Sequence, residues 1–105
     1  MGVIYHITSA EEWNNAKMQA NDEGQFFYSA ASLDTEGFIH CSNENQVNGV
    51  LQRYFDGKEG LVKLVIEPER LSSPVKYEKA DSIGEDFPHV YGPINNSAVT
   101  DVIAL

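Results

Sequence analysis

The stretch Asn43-Glu-Asn-Gln-Val47-Asn-Gly-Val50-Leu51-Gln-Arg-Tyr54-Phe55 decides the fold. Its apolar residues Val47, Val50, Leu51, Tyr54 and Phe55 recur at i, i+3, i+4, i+7 and i+8, which places them on one face of a helix. Ser42 or Asn43 caps that helix and Asp56-Gly57 ends it. A short strand, Phe38-Ile-His-Cys41, precedes it after a turn at Glu36-Gly37, and a second strand, Leu61 to Ile66, follows. Further out, Val3 to Ile7 reads as a first strand because it is β-branched and aromatic. Ser9-Ala-Glu-Glu12 then has the form of a capping box and opens a helix that carries Trp13, Ala16 and Ala20 and ends before Asn21. Phe26 to Tyr28, Val75 to Glu78 and Phe87 to Pro93 are extended, Pro68 to Leu71 is a turn, and Ala98 to Leu105 closes the sheet. Two main helices and about six short strands without strict βα alternation predict an α+β fold. The expectation is one compact domain over residues 1–105, with a split, mostly antiparallel sheet.

Composition narrows the function classes. With 105 residues, 42% of them hydrophobic, the chain can fill one core without a disulfide or a metal. The single cysteine, Cys41, has no intrachain partner, which fits a reducing compartment, and a cytoplasmic location is expected. The N-terminal Met-Gly-Val-Ile-Tyr-His lacks the basic and apolar regions of a secretion signal, and His6 stands where a myristoylation motif needs Ser or Thr. The most apolar stretch, Leu61 to Ile66, is broken by Lys63 and falls far short of the ~20 residues of a membrane helix. The net charge of −9, with Arg53 and Arg70 isolated from any basic cluster, argues against nucleic acid as a partner. A small-molecule ligand is the expected partner, neither membrane nor nucleic acid is, and the oligomeric state is left open.

The three histidines share a local grammar. His6 lies in Ile4-Tyr-His-Ile-Thr8, His40 in Phe38-Ile-His-Cys-Ser42 and His89 in Phe87-Pro-His-Val-Tyr91. All three sit in extended apolar segments, and each is followed two residues later by a hydroxyl: Thr8, Ser42 and Tyr91. Residues i and i+2 of a strand share a face, so each imidazole is expected beside its hydroxyl. The plain alternative is three satisfied, semi-buried histidines at strand ends. The functional reading is one pocket lined by His6, His40 and His89, with Ser42 and Tyr91 near them. His40 also stands just before the best helix, where free amides and the helix dipole welcome an anion and oppose imidazolium. Zinc is the rival use of three histidines, but no ligand spacing is present, and His40 and Cys41 face opposite ways on their strand. No metal is therefore expected. Cys41 reads as a core thiol rather than a nucleophile.

The strings Ile4-Tyr-His-Ile-Thr8, Glu36-Gly-Phe-Ile-His-Cys-Ser42 and Phe87-Pro-His-Val-Tyr-Gly-Pro93, with Trp13, Ser32-Leu33, Gln46-Val47 and Leu61-Val62, resemble the domain of unknown function 952 family nearly end to end. That family in turn looks like a compact relative of the ADP-ribosyltransferase fold, a split sheet that clasps NAD. The resemblance implies that Tyr5-His6 faces the nicotinamide ribose and that Ser42 stands at the strand-to-helix junction of the site. It departs from that fold in offering no placed catalytic glutamate and no paired arginines. The expected site is then His6, His40 and His89 as catalytic groups and Tyr5, Thr8, Ser42 and Tyr91 as substrate-binding groups. The ligand expected is nucleotide-like, of the NAD or ADP-ribose type, with NAD as a substrate rather than a fixed cofactor. A non-catalytic module for a small anionic metabolite is the alternative.

Overall fold

A computed structural model describes residues 2–80 and 83–105. In chain order its elements are β1 (Ile4–Ser9), α1 (Ala10–Lys17), β2 (Phe27–Tyr28), α2 (Ala31–Glu36), β3 (Ile39–His40), α3 (Val47–Tyr54), β4 (Leu61–Ile66), β5 (Val75–Ala80), β6 (Glu85–Val90), β7 (Ile94–Asn95) and β8 (Val99–Ala104). Short 3-10 turns lie at Glu44–Gln46, Pro68–Arg70 and Asn96–Ala98. Among the described residues the strands form three antiparallel sheets, ordered β1-β4-β8, β2-β7 and β3-β6-β5. The fold is α+β with two main helices, α1 and α3.

The first sheet is built on the most apolar strand. β4 sits between β1 and β8, and its Leu64 and Ile66 are fully buried opposite His6 and Ile4. One face of β1, carrying Ile4, His6 and Thr8, joins the main core of Trp13, Tyr28, Ile39, Leu64, Val90 and Ile94. The other face is covered by α3. Ile7 and Leu61 pack there with Val47, and Tyr5, Val50, Leu51 and Phe55 flank them. The heptad-like spacing that predicts α3 thus serves a second, smaller core. At the start of α1 the Ser9 hydroxyl accepts the Glu12 amide at 3.0 Å, but the Glu12 carboxylate meets the Ser9 hydroxyl at 3.3 Å instead of its amide. Half of the expected capping box is made.

The connection between sheets runs through four residues. β3 pairs with β6 at Ile39↔Val90 and His40↔His89, and two residues on the chain pairs with β1 instead. There Tyr5 and Ser42 exchange amide-to-carbonyl bonds of 2.8 and 2.7 Å. His6 completes the joint. Its Nδ1 contacts the carbonyl oxygen of His40 at 2.6 Å and its Nε2 contacts the Tyr28 hydroxyl at 2.9 Å. One side chain of the first sheet is thereby bonded to a strand of each of the other two.

Two elements differ from the sequence expectation. The strand β7 is a two-residue pair with β2, too short to carry a period. The helix α2 has no side-chain cap and only Leu33 among its residues packs on the core, so it lacks an apolar stripe. It ends where a turn is expected, at Gly37, whose φ of 88° belongs to the left-handed region.

The Tyr28–His6 bond is buried, so Tyr28→Phe leaves an imidazole nitrogen without a partner. A loss of about 1–3 kcal/mol in urea unfolding is expected. The neighbouring Phe27 is 60% exposed, and Phe27→Ala should cost about 0.5 kcal/mol or less. Equal losses in the two variants would disprove the structural weight given to this bond.

Candidate functional site: a histidine cleft with two carboxylate partners

All three histidines line one cleft of about 600 Å³, bounded by the edge of β1, the face of α3 and the β3-β6-β5 sheet. Cavities of this size hold drug-sized ligands. Ser42 and Glu36 add polar groups, while Ile7, Val50, Phe55, Ile83 and Phe87 supply an apolar wall.

The pairing register builds the polar end. His40 lies directly opposite His89 across the β3–β6 pair, so the two imidazoles share a face. Their ring centroids are 5.3 Å apart in an edge-to-face arrangement. Two residues away on each strand, and hence on the same face, stand Phe38 and Tyr91. The Phe38 ring stacks on His89 at 4.0 Å and meets His40 edge-on at 4.9 Å.

Each imidazole of this pair has a carboxylate. The left-handed turn at Gly37 folds the end of α2 back, and Glu36 Oε2 lies 2.9 Å from His40 Nε2. On β5, Glu78 pairs with Phe87, which sets it diagonal to His89. Its Oε1 lies 2.8 Å from His89 Nδ1 and also accepts a short hydrogen bond from the Tyr91 hydroxyl. The Tyr91 bond, followed by that from His89, holds the Glu78 carboxyl below the usual carboxylate range. The same contact raises the Tyr91 phenol above its ordinary value. An ionised carboxylate accepts, so neutral His89 donates from Nδ1 and keeps Nε2 bare. By the same logic His40 donates from Nε2 and keeps Nδ1 bare. Both bare nitrogens are proton acceptors. The exposures differ: the His40 side chain is 54% exposed and that of His89 11%.

His6 is of another kind. A carbonyl oxygen can only accept, so its Nδ1 carries the proton, and Nε2 accepts from Tyr28. Burial pulls its pKa down to about 4, with the bond to the His40 carbonyl opposing that shift. Burial likewise pushes the Tyr28 phenol up to about 12. His6 is a neutral imidazole with both nitrogens engaged.

The structure brings His6, His40, His89 and Ser42 to the one cleft. Thr8 turns into an adjoining recess, and Tyr91 does not line the cleft but meets Glu78, the partner of His89. Tyr5 does not join them. It lies on the opposite face of β1 from His6, with the Lys63 ammonium 5.0 Å from its ring centroid. The free amides expected beside His40 are also partly used. The Asn43 amide donates to Gln46 Oε1 at 2.9 Å and the Gln46 amide to the Asn43 carbonyl at 3.0 Å, with Glu44 already in the first turn. His40 turns to Glu36 rather than to the helix. Cys41 is buried, which pushes its thiol well above the ordinary value. Among the described residues no group of three or more His, Cys, Asp or Glu side chains gathers as metal ligands would. Sequence reasoning missed Glu36, Glu78 and the ring of Phe38. The four-residue spacing of Glu36 and His40 was one available signal, and the offset of Glu78 from His89 across a hairpin was the other.

The family model described as protein of unknown function (DUF952) matches residues 7–102. The chain belongs to this family. Among solved structures, the crystal structure of protein CC0527 from Caulobacter crescentus is 35% identical. The alignment covers 95% of this chain and 82% of that one, with a TM-score of 0.80. The solution NMR structure of CC0527 gives 36% identity, 100% and 85% coverage and a TM-score of 0.79. No curated protein matches the chain. The DUF952 membership is thus established, and the ADP-ribosyltransferase kinship implied by resemblance gains no support from these matches.

The neutral state of His6 links stability to pH in this DUF952 chain. The unfolded chain binds a proton at His6 as pH falls through about 6.5, while the folded chain resists until about 4. Stability should therefore decline as pH drops across that window, by on the order of 3 kcal/mol from this group. The depressed Glu78 adds a loss of the same sign at lower pH, below the usual carboxylate range. Urea unfolding followed from neutral to acid pH should show this decline, and His6→Gln, though less stable at neutral pH, should flatten it above the carboxylate range. A pH slope unchanged in His6→Gln would refute the assignment.

Proposed function

We propose that the histidine cleft binds a nucleotide-like small molecule of the NAD or ADP-ribose type and that His89 moves a proton on it. The observation that carries this reading is the chain of contacts Tyr91–Glu78–His89. A carboxylate fixed by a phenol orients the imidazole, selects the tautomer with Nε2 bare and stabilises the imidazolium once a proton arrives. His40, more exposed and 5.3 Å away ring to ring, is placed to exchange protons with solvent, with Glu36 as its partner. In this reading Ser42 hydrogen-bonds the ligand and His6 is the neutral floor that holds the cleft together.

The ligand class is supported by the shape and lining of the site. Substitution at a ribosyl carbon passes through an oxocarbenium-like state and needs ribose hydrogen bonds, an aromatic platform and a nearby carboxylate. Ser42, the rings of Phe55 and Phe87 and the Glu36 carboxylate line the cleft, and Glu78 stands behind His89. The alternative of a passive site for an anionic metabolite is disfavoured by one observation: both cleft imidazoles already face carboxylates. A site of three imidazoles around zinc is disfavoured because neither nitrogen of His6 is free.

Nicotinamide release from NAD, with ADP-ribose binding measured by calorimetry, tests the proposal. Turnover is expected in the unaltered protein. His89→Gln and Glu78→Gln should lower it by about 10²–10⁴ fold while unfolding temperatures stay close to the parent, because proton transfer contributes that much. His40→Gln should lower it less. Neither binding nor turnover with NAD or ADP-ribose would overturn the ligand class, and full turnover in His89→Gln would overturn the role of that residue.

A further inference from the structure

The histidine cleft does not end at His6. A second recess of about 510 Å³ opens beside it, and His6, Ile7 and Phe55 line both. The two recesses, or lobes, adjoin across these three residues. Their chemistry differs. The first is mostly apolar apart from its histidines, Ser42 and Glu36. The second carries hydroxyls from Thr8, Ser9 and Ser32 and carboxylates from Glu12 and Glu59. Lys58 is the one lysine or arginine among the residues lining either lobe, and its ammonium lies 5.6 Å from the Phe55 ring centroid. Against it stand Glu36, Glu12 and Glu59.

We infer that this cleft is a two-part site for a nucleoside, with the planar base against the apolar wall of the histidine lobe and the sugar hydroxyls in the hydroxyl–carboxylate lobe. The inference rests on the proposed function and narrows it. Carboxylates are the partners that sugar hydroxyls require, because they accept an O–H, and the Ser9 and Ser32 oxygens add acceptors while their own protons go to the Glu12 carboxylate and the Phe38 carbonyl. A phosphate finds the reverse environment. Three carboxylates face one ammonium, there is no arginine fork, and a chain of net charge −9 repels a dianion at a distance. The part of the ligand held in the lobes is therefore an uncharged or cationic N-riboside, and the phosphate-bearing part of any larger ligand lies outside them.

Calorimetric titration of the parent protein with nicotinamide, nicotinamide riboside and its 5′-monophosphate tests this. The riboside should bind about tenfold or more tighter than nicotinamide, the worth of one or two added hydrogen bonds. The monophosphate should bind more weakly than the riboside, and high salt should narrow that gap by screening. Two variants that fill the second lobe, Glu59→Trp from the exposed rim and Ala30→Leu from its wall, should erase the riboside's advantage and leave nicotinamide binding intact. Binding of nicotinamide and riboside with equal affinity, or tighter binding of the monophosphate, overturns the inference while leaving the histidine-lobe reading in place. No binding by any of the three overturns both.

Discussion

The imidazole of His6 is the constraint on which the rest of this structure depends. Three small sheets would each expose an edge and a half-covered face if left apart, and two-stranded pieces are barely stable alone. His6 bonds the β1 sheet to the carbonyl of His40 on β3 and to the hydroxyl of Tyr28 on β2. Because it is buried, each of those bonds is expensive to break, and the ring is held in one tautomer. Tyr28 in turn tilts against the His6 ring and lies near Trp13 of α1, so the same contact anchors the first helix. The polar joint sits inside an apolar core without leaving a buried side-chain nitrogen or oxygen unpaired among the described residues.

That joint also places the facing pair of imidazoles. Fixing the His40 carbonyl fixes β3, and the β3–β6 register then brings His89 opposite His40. The remaining features follow from strand geometry. Phe38 and Tyr91 fall on the same face, Glu78 sits diagonally across the β5–β6 pair, and the turn at Gly37 returns Glu36 to His40. One imidazole bonded at both nitrogens and two paired with carboxylates thus occupy one cleft. The stacked Phe38 holds the His89 ring in its orientation.

Much of the fold was legible in the chain. The 3.6-residue spacing of Val47 to Phe55 marks α3, and the apolar run Leu61 to Ile66, interrupted only by Lys63, coincides with β4 residue for residue. Helix α2 and strand β7 were not legible, because neither is long enough to express a period and both are held by tertiary contacts. In the site, period-two logic correctly paired His89 with Tyr91 and His6 with Thr8. His40 and Ser42 also reach the same cleft, although the chain leaves one sheet for another between them. The family resemblance, not the period, grouped Tyr5 with His6, and the structure sets the two on opposite faces of β1.

By itself the sequence determined the α+β class, the main helices, the central strand, the net acidic charge and the membership of the DUF952 family. These are local or additive properties, carried by periodicity and composition. Only the tertiary structure decided which histidine is buried and neutral, which two face each other, and which carboxylates serve them. Those facts depend on the register of strands far apart in the chain and on desolvation. Residues 6, 28 and 40, or 78, 89 and 91, acquire their chemistry from one another only after the sheets have closed.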